Sequence, residues 1–276
     1  MSLRIYPNEE EFLSDLMSRT RGYEIGLIPC TENLHPGYHQ LFEKARQEND
    51  WVVAVGLSQE EFAQVTIAER SSGLSEQDRE DLYQYGVDAY VRLDEQLGEE
   101  FKIKDMKWSQ SLELDPDLVD RMCSRFLHLY SLYQPKRVYL YDLYSRENLI
   151  LRALAKRFFP RIEVVCQPLV RSQEGLAHSS SNFFLTASEL EQAQSIHKVL
   201  TEKYRDCVGL SVYRVGEKIT ASLEEKEFES VKVNFFNDDG QHFETIGRKT
   251  KVFVSVRIAN KTLVDHLSLN LGERSY

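Results

Sequence analysis

The sequence has only four cysteines and fewer basic than acidic residues. The four cysteines, at positions 30, 123, 166 and 207 of a 276-residue chain, form no Cys-x-x-Cys pair. Neither a zinc site nor a disulfide framework is therefore expected. The 34 lysines and arginines are outnumbered by 44 aspartates and glutamates, which gives a net charge of −10. We expect no nucleic-acid partner, although a local cluster of donors could still bind a small anion.

Long apolar segments are also missing. The best apolar run, residues 51–57, is far shorter than the roughly 18 to 20 residues that a membrane helix requires. Residues 1–11 are polar and acidic, unlike a signal peptide. These features predict a cytoplasmic protein without a membrane partner. Hydrophobic residues make up 42% of the chain, which is ordinary globular usage, so we expect a packed core.

Strand-like and helix-like patterns alternate through the first two-thirds of the chain. Short apolar runs at 25–28 and 51–57 flank a helical pattern at 36–48, and the alternation continues to a strand-like segment at 162–166. Such alternation is typical of βαβ units. We therefore predict an α/β fold with a Rossmann-like, doubly wound parallel sheet.

The pattern changes near residue 186. A helical pattern at 188–204 is followed by strand-like segments and turn signals that continue to about residue 269. We predict a boundary here, between a nucleotide-binding domain over 1–186 and a smaller α+β domain over 187–276.

Two segments have the chemistry to bind phosphate. His35 lies between the first of these predicted strands and the helix after it, where free helix N–H groups attract anions, and Gly37 allows a ligand to approach closely. His35 could equally cap the helix. The second segment, residues 175–182, contains three serines and Asn182, whose donors could surround a triphosphate. A serine-rich turn more often only connects two elements.

Taken together and in order, these segments resemble the pantothenate synthetase (pantoate–β-alanine ligase) family of the nucleotidyltransferase superfamily. The resemblance implies an ATP- and Mg-dependent homodimeric ligase of the coenzyme A pathway. Such a ligase converts a small carboxylate to an acyl adenylate, releases pyrophosphate and joins the acyl group to an amine. The resemblance is carried by these stretches: 25–29, 34–37, 45–50, 85–88, 134–137, 170–171, 175–177, 179–180, 256–258 and 262–265.

The resemblance also assigns site residues position by position. The family's His-x-Gly-His signature stands here as His35-Pro36-Gly37-Tyr38, which makes His35 the expected catalytic residue and places Gly37 and Tyr38 at the nucleotide. The family's Met-Ser-Ser-Arg-Asn segment aligns with further expected nucleotide-binding residues, which are His178, Ser179, Ser180, Ser181 and Asn182. Two glutamines that bind pantoate in the family are replaced by Glu61 and Glu147, the expected substrate-binding residues.

Several charged groups of the family pattern are absent. Leu143 and Tyr144 stand where the family has a phosphate-binding lysine and an aspartate, and Ser181 stands where it has an arginine. Each lost donor of this kind typically costs at least about 100-fold in rate. Two carboxylates at an acid's binding site would repel it, unless one is protonated or a cation intervenes.

Two hypotheses follow from these departures. In the first, the chain is a ligase with altered substrates, and Glu61 and Glu147 receive an amine-bearing or cationic molecule. In the second, it is a non-catalytic paralogue that acts as a binding or regulatory subunit. An unchanged pantothenate synthetase would require a different alignment over residues 141–147.

Overall fold

A computed structural model of the protein describes residues 3–19, 22–57, 73–93, 110, 112–237, 240 and 243–269. The chain divides into two compact units. The first extends to Leu169 and the second begins at Val170, with residues 112–113 assigned to the second unit. Among the described residues, no helix has the length and apolar character to cross a bilayer.

Strands and helices alternate along the first unit, as the sequence patterns predict. An N-terminal strand and helix, which those patterns did not indicate, come before the rest. The elements are β1 (Arg4–Tyr6), α1 (Glu9–Arg19), β2 (Ile25–Cys30), α2 (Pro36–Glu48), β3 (Trp51–Gly56), α3 (Glu76–Gln84), β4 (Ala89–Arg92), α4 (Pro116–Tyr133), β5 (Arg137–Tyr141), a 3-10 turn (Asp142–Tyr144), α5 (Ser145–Phe158) and β6 (Glu163–Gln167).

The strands of the first unit form one parallel sheet in the order β1-β4-β3-β2-β5-β6. Strands β2 and β3 are buried along almost their whole length, as is usual for parallel strands that are covered on both faces. From β2 the chain moves outward to β3 and β4, and it then crosses to β5 and β6 on the other side. This reversal of direction is the mark of a doubly wound sheet, so the predicted fold class is confirmed.

The second unit contains a three-stranded antiparallel sheet and two long helices. Its apolar core joins helix and sheet residues, among them Leu200, Ile219 and Val254. The elements are a 3-10 helix (Ser180–Phe184), α6 (Ala187–Tyr204), α7 (Val212–Glu224), β7 (Ser230–Phe236), β8 (Lys251–Ile258) and β9 (Lys261–Ser268), with the strands in the order β7-β8-β9.

The compact units divide at residues 169 and 170, whereas the domains predicted from the pattern divide near residue 186. Two contacts explain why residues 170–186 go with the second unit. Leu176 packs in the apolar core of that unit. The Arg171 guanidinium donates from Nη1 and Nη2 to the two carboxylate oxygens of Asp265 in β9, at 2.8 and 2.7 Å. The pattern change near 186 marks the start of helix α6, and the unit itself starts earlier.

Candidate functional site

The carboxyl ends of β2 and β5 form the switch point of the sheet, because the strand order reverses between these two neighbouring strands. In doubly wound sheets, ligands bind in the crevice at this point. A loop over residues 31–35, here called the His35 loop, leads from β2 into α2. The 3-10 turn Asp142–Tyr144 leads from β5 into α5.

His35 caps helix α2. Its backbone is extended, and its Nδ1 atom accepts a hydrogen bond from the backbone N–H of Gly37 at 3.1 Å. Because Nδ1 is an acceptor, the proton of the neutral ring lies on Nε2. The structure thus shows the capping role. Donation from Nε2 to a phosphate oxygen, the other role considered for this residue, stays a prediction.

Two tyrosine rings flank the His35 imidazole. The ring centroids of Tyr38 and Tyr141 lie 4.6 and 5.2 Å from that of His35, and all three side chains are buried. A Cβ atom built on Gly37 would lie 2.5 Å from Cζ of Tyr141. The space that this glycine leaves is therefore filled by an aromatic ring of the protein itself.

Tyr38 stands where the resemblance places a second histidine. Its hydroxyl accepts a hydrogen bond from the backbone N–H of Thr31 at 3.1 Å and lies 3.2 Å from the Thr31 hydroxyl. Burial raises the pKa of Tyr38, so the phenol is neutral at physiological pH. It can offer a hydrogen bond at this position, but it carries no positive charge.

The turn after β5 is apolar where the family pattern has charges. Leu143 and Tyr144 are both buried in it.

Three arginines could replace the lost cations. Arg171 is bound to Asp265 within the second unit, Arg152 is exposed on α5, and the buried Arg146 has Nη2 3.9 Å from Oε1 of Glu147.

The first turn of α5 contains a cluster of buried polar groups. Glu147 is only 2% exposed, and its Oε2 atom has no hydrogen-bond partner. Burial raises the pKa of Glu147, an effect that the nearby Arg146 opposes. Ser145 Oγ and Asn148 Oδ1 also lack hydrogen-bond partners. Native proteins leave few buried polar atoms unpaired, so this cluster is a candidate ligand site.

Sequence reasoning selected Glu147 but missed Ser145 and Asn148. The signal that could have found them is the polar run 145–148, which follows β5 and its short 3-10 turn at the switch point. The other expected substrate-binding residue, Glu61, lies outside the described residues.

In the second unit, residues 175–182, here called the serine segment, begin in a tight turn. The backbone N–H of His178 donates to the carbonyl of Val170 at 2.9 Å, and residues 171 and 177 form an antiparallel bridge. Gly175 has a φ of +92°, a left-handed conformation that glycine adopts without strain. The turn thus brings the chain back on itself directly before the three serines.

Two of the predicted nucleotide-binding side chains stabilise the serine segment itself. Ser179 caps the 3-10 helix, since its Oγ accepts from the backbone N–H of Ser181 at 3.2 Å. The Asn182 amide donates to the carbonyl of Ala177 at 2.9 Å. The side chains of residues 179–181 are buried. The Ser179 hydroxyl accepts in its capping bond, so its own proton can still be donated to another group.

The structure therefore brings together the predicted residues in two groups, each within its own unit. The first unit holds His35, Gly37 and Tyr38 at the start of α2, with Glu147 at the start of α5. The second unit holds the serine segment.

Comparison with known proteins identifies the family. The protein-family model described as Pantoate-beta-alanine ligase matches residues 6–268. The pantothenate synthetase of Aquifex aeolicus (strain VF5) is 28% identical over 261 residues, covering 90% of this chain and 92% of that protein.

Solved structures show the same fold. A crystal structure of pantothenate synthetase from Thermus thermophilus has a TM-score of 0.81 at 22% identity, covering 96% of this chain and 99% of that chain. The pantoate-beta-alanine ligase of Francisella tularensis, complexed with beta-gamma ATP and beta-alanine, has a TM-score of 0.76 at 23% identity, covering 98% and 99%. Because the family match spans nearly the whole sequence, this chain belongs to the pantoate–β-alanine ligase family.

Proposed function

We propose that this protein is an ATP-dependent carboxylate–amine ligase that forms an amide through an acyl adenylate, with an acid substrate other than pantoate. Family membership supports the reaction class. The altered substrate is inferred from one observation. Glu147, which stands where the resemblance places a glutamine, has a buried carboxyl group with an unpartnered oxygen.

In the proposed reaction, a carboxylate oxygen of the acid attacks the α-phosphorus of ATP, and the bond to pyrophosphate breaks. The amine nitrogen then attacks the acyl carbon, AMP leaves with the electron pair of the acyl–oxygen bond, and the nitrogen loses a proton. The protein's task is to position the reactants and to place donors where negative charge develops. The beta-gamma ATP held by the Francisella tularensis relative supports ATP as the nucleotide.

His35 and the start of helix α2 each supply one feature suited to a phosphate. The Nε2 atom of His35 carries a donor proton, because Nδ1 is already used to cap the helix. The start of α2 adds the positive end of a thirteen-residue helix dipole, while the N–H groups of Gly37 and Tyr38 are themselves bonded to His35. In the second unit, the hydroxyls of Ser179 and Ser180 are the proposed donors to ATP. None of these groups carries a permanent positive charge.

Magnesium would reach this protein together with ATP. Among the described residues, no three His, Cys, Asp or Glu side chains are arranged to hold a metal ion. Mg²⁺ is usually bound through substrate phosphates, with water and one or two carboxylates completing its shell, so a dedicated protein cage is not needed. When bound, it would neutralise phosphate charge.

Glu147 defines the proposed substrate class. A neutral glutamic acid offers one donor and one acceptor, much as a glutamine amide does, whereas an ionised glutamate only accepts. In the ionised form its unpartnered Oε2 is an acceptor, which an N–H or O–H group of the substrate would satisfy, whereas in the neutral form one of the two oxygens carries the proton and donates. We therefore expect an acid that bears an amine, which an ionised Glu147 would also attract by charge.

ATP–pyrophosphate exchange tests this proposal. The panel pairs amine-bearing carboxylic acids with their deaminated counterparts and includes pantoate, with Mg²⁺ present throughout. We expect exchange with at least one amine-bearing acid, at a rate at least about tenfold above its counterpart and above pantoate. Faster exchange with pantoate than with every other acid would contradict the altered substrate.

The second candidate function is that of a non-catalytic binding subunit. One observation favours it, namely that the Tyr141 ring fills the space beside Gly37 while apolar Leu143 follows in the turn. No exchange with any acid, combined with no heat of ATP binding in calorimetry, would select this function. The homodimer that the family resemblance implies stays a prediction, which light scattering of the purified protein would check.

A further inference from the structure

Helix α3 carries two buried aspartates that the proposed reaction does not use. Asp78 and Asp81 are 3% and 7% exposed. They lie three positions apart, so their side chains are neighbours on the helix surface. Buried carboxylates are costly unless hydrogen-bond donors surround them, and the donors that surround these two belong mainly to the His35 loop and to α2.

The Asp78 carboxylate accepts hydrogen bonds from the backbone of the His35 loop. Its Oδ1 atom accepts from the N–H of Leu34 at 2.7 Å, and Oδ2 accepts from the N–H of Asn33 at 3.4 Å. Asn33 has a φ of +59°, a left-handed conformation that asparagine adopts more readily than most other non-glycine residues. These bonds fix the two residues directly before His35.

Asp78 also has a local role in α3. Together with Ser75 it forms a capping box, in which Ser75 Oγ accepts from the Asp78 N–H and Asp78 Oδ2 accepts from the Ser75 N–H, both at 3.0 Å. The box requires only one of the two carboxylate oxygens. The other oxygen, Oδ1, accepts from the Leu34 N–H at 2.7 Å, which is the shortest of the three hydrogen bonds that the carboxylate accepts. That bond has no role in capping α3.

Asp81 holds the chain on the other side of His35. Its Oδ2 atom lies 2.8 Å from Nε2 of His39, in the first turn of α2. The His39 ring also stacks on Tyr85, with centroids 4.4 Å apart. Helix α3 thus contacts the residues before and after His35, although it lies more than forty residues away in sequence.

We propose that Asp78 is a positioning residue that acts through the N–H groups of Asn33 and Leu34 to hold His35 at the start of α2, with Asp81 supporting the same segment through His39. The link from His35 to a nucleotide rests on the proposed function. The positioning of His35 itself does not.

Three variants separate positioning from helix capping. Asp78→Asn replaces one acceptor oxygen by an NH₂ group, which opposes the backbone donors. Asp78→Glu keeps the charge and a capping-box residue, but it moves the carboxylate by one methylene away from its place beside Leu34. Ser75→Ala is the control, because it breaks the box while leaving Asp78 Oδ1 on Leu34. Each variant is examined by two-bond ¹H–¹⁵N spectra of the histidine rings and by calorimetry with ATP and Mg²⁺.

We expect both Asp78 variants to change the His35 Nδ1 resonance and to weaken ATP binding at least about tenfold. Ser75→Ala should lower thermal stability while keeping the wild-type His35 spectrum. The proposal is overturned if the Asp78 variants keep the wild-type spectrum, or if Ser75→Ala changes it equally. If Asp78→Asn fails to fold, Asp78→Glu decides. If wild-type protein binds no ATP but the Asp78 variants still alter the His35 spectrum, the ligase proposal fails and the positioning of His35 stands.

Discussion

The ring of Tyr141 occupies the space that a side chain at position 37 would need, with Cζ 2.5 Å from the Cβ position of Gly37. Real Cβ atoms do not approach other heavy atoms this closely, so the glycine and the tyrosine depend on each other. The pair brings the start of α2 against the carboxyl end of β5 at the switch point, where a nucleotide is expected.

Gly37→Ala should destabilise the protein by about 1–3 kcal/mol, because the added methyl group overlaps the Tyr141 ring. Denaturant unfolding measures the change. Gly216→Ala in α7 is the matched control, since its Cβ would meet only Phe235, at an ordinary 3.5 Å. The control should be neutral or stabilising by up to about 1 kcal/mol. Equal effects of the two substitutions would contradict the interpretation of the Gly37–Tyr141 pair.

Glu147→Gln should change how stability depends on pH. Burial raises the folded-state pKa of Glu147 above its ordinary value of 4.5, so the folded state binds this proton more tightly than the unfolded state. Wild-type stability relative to Glu147→Gln should therefore fall as pH rises from 4.5 through the folded pKa, and then level off. Urea unfolding at a series of pH values measures this difference.

The control for Glu147 is Glu48→Gln, for which the opposite sign is expected. Hydrogen bonds from Lys44 and Tyr139 lower the pKa of Glu48, so its stabilising contribution is present above its ordinary pKa and is lost as pH falls through the folded pKa. A difference between wild type and Glu147→Gln that does not vary with pH would show that Glu147 is not held in an unfavourable environment when ionised.

Asp265→Asn should destabilise the second unit by about 2–4 kcal/mol, because it leaves the Arg171 guanidinium without its charge partner. Asp265 is 2% exposed and accepts two bonds from Arg171, so solvent screens this pair little. Glu229→Gln is the comparison, since the Glu229–Arg257 pair is more than half exposed on both sides. That change should cost less than about 1 kcal/mol. Thermal unfolding of both variants checks the ranking.

Ser179→Ala should reduce both stability and ATP affinity. Loss of the Ser179 cap should cost about 1 kcal/mol, and loss of the proposed donor should weaken ATP binding about tenfold. Thr186→Ala removes the cap of α6 in the same unit and should cost a similar amount of stability with no change in ATP affinity. Calorimetry with ATP and Mg²⁺ distinguishes the two. Unchanged affinity in Ser179→Ala would remove Ser179 from the proposed site.

The fold prediction was correct for strands whose apolar pattern lies complete within one segment of the sequence. Ile25–Cys30 and Trp51–Gly56 are continuous apolar runs, and such runs are typical of buried parallel strands whatever their neighbours. The short strand Arg4–Tyr6 has no such signal. It is defined by its pairing with Ala89–Val91, so its sequence could not indicate it.

The sequence by itself determined the doubly wound α/β fold, the helix that begins at Pro36 and the family, because periodicity, capping residues and motif order can all be read along the linear chain. Only the tertiary structure decided which atoms surround His35. Tyr141 beside Gly37, Asp78 on the backbone of Leu34 and the burial of Glu147 each depend on segments that are distant in sequence or on the packing around them. The apolar pattern of a strand or helix indicates which of its apolar side chains are buried. The burial of a polar group, its hydrogen-bond partners and the shift in its pKa come from packing that brings distant segments together.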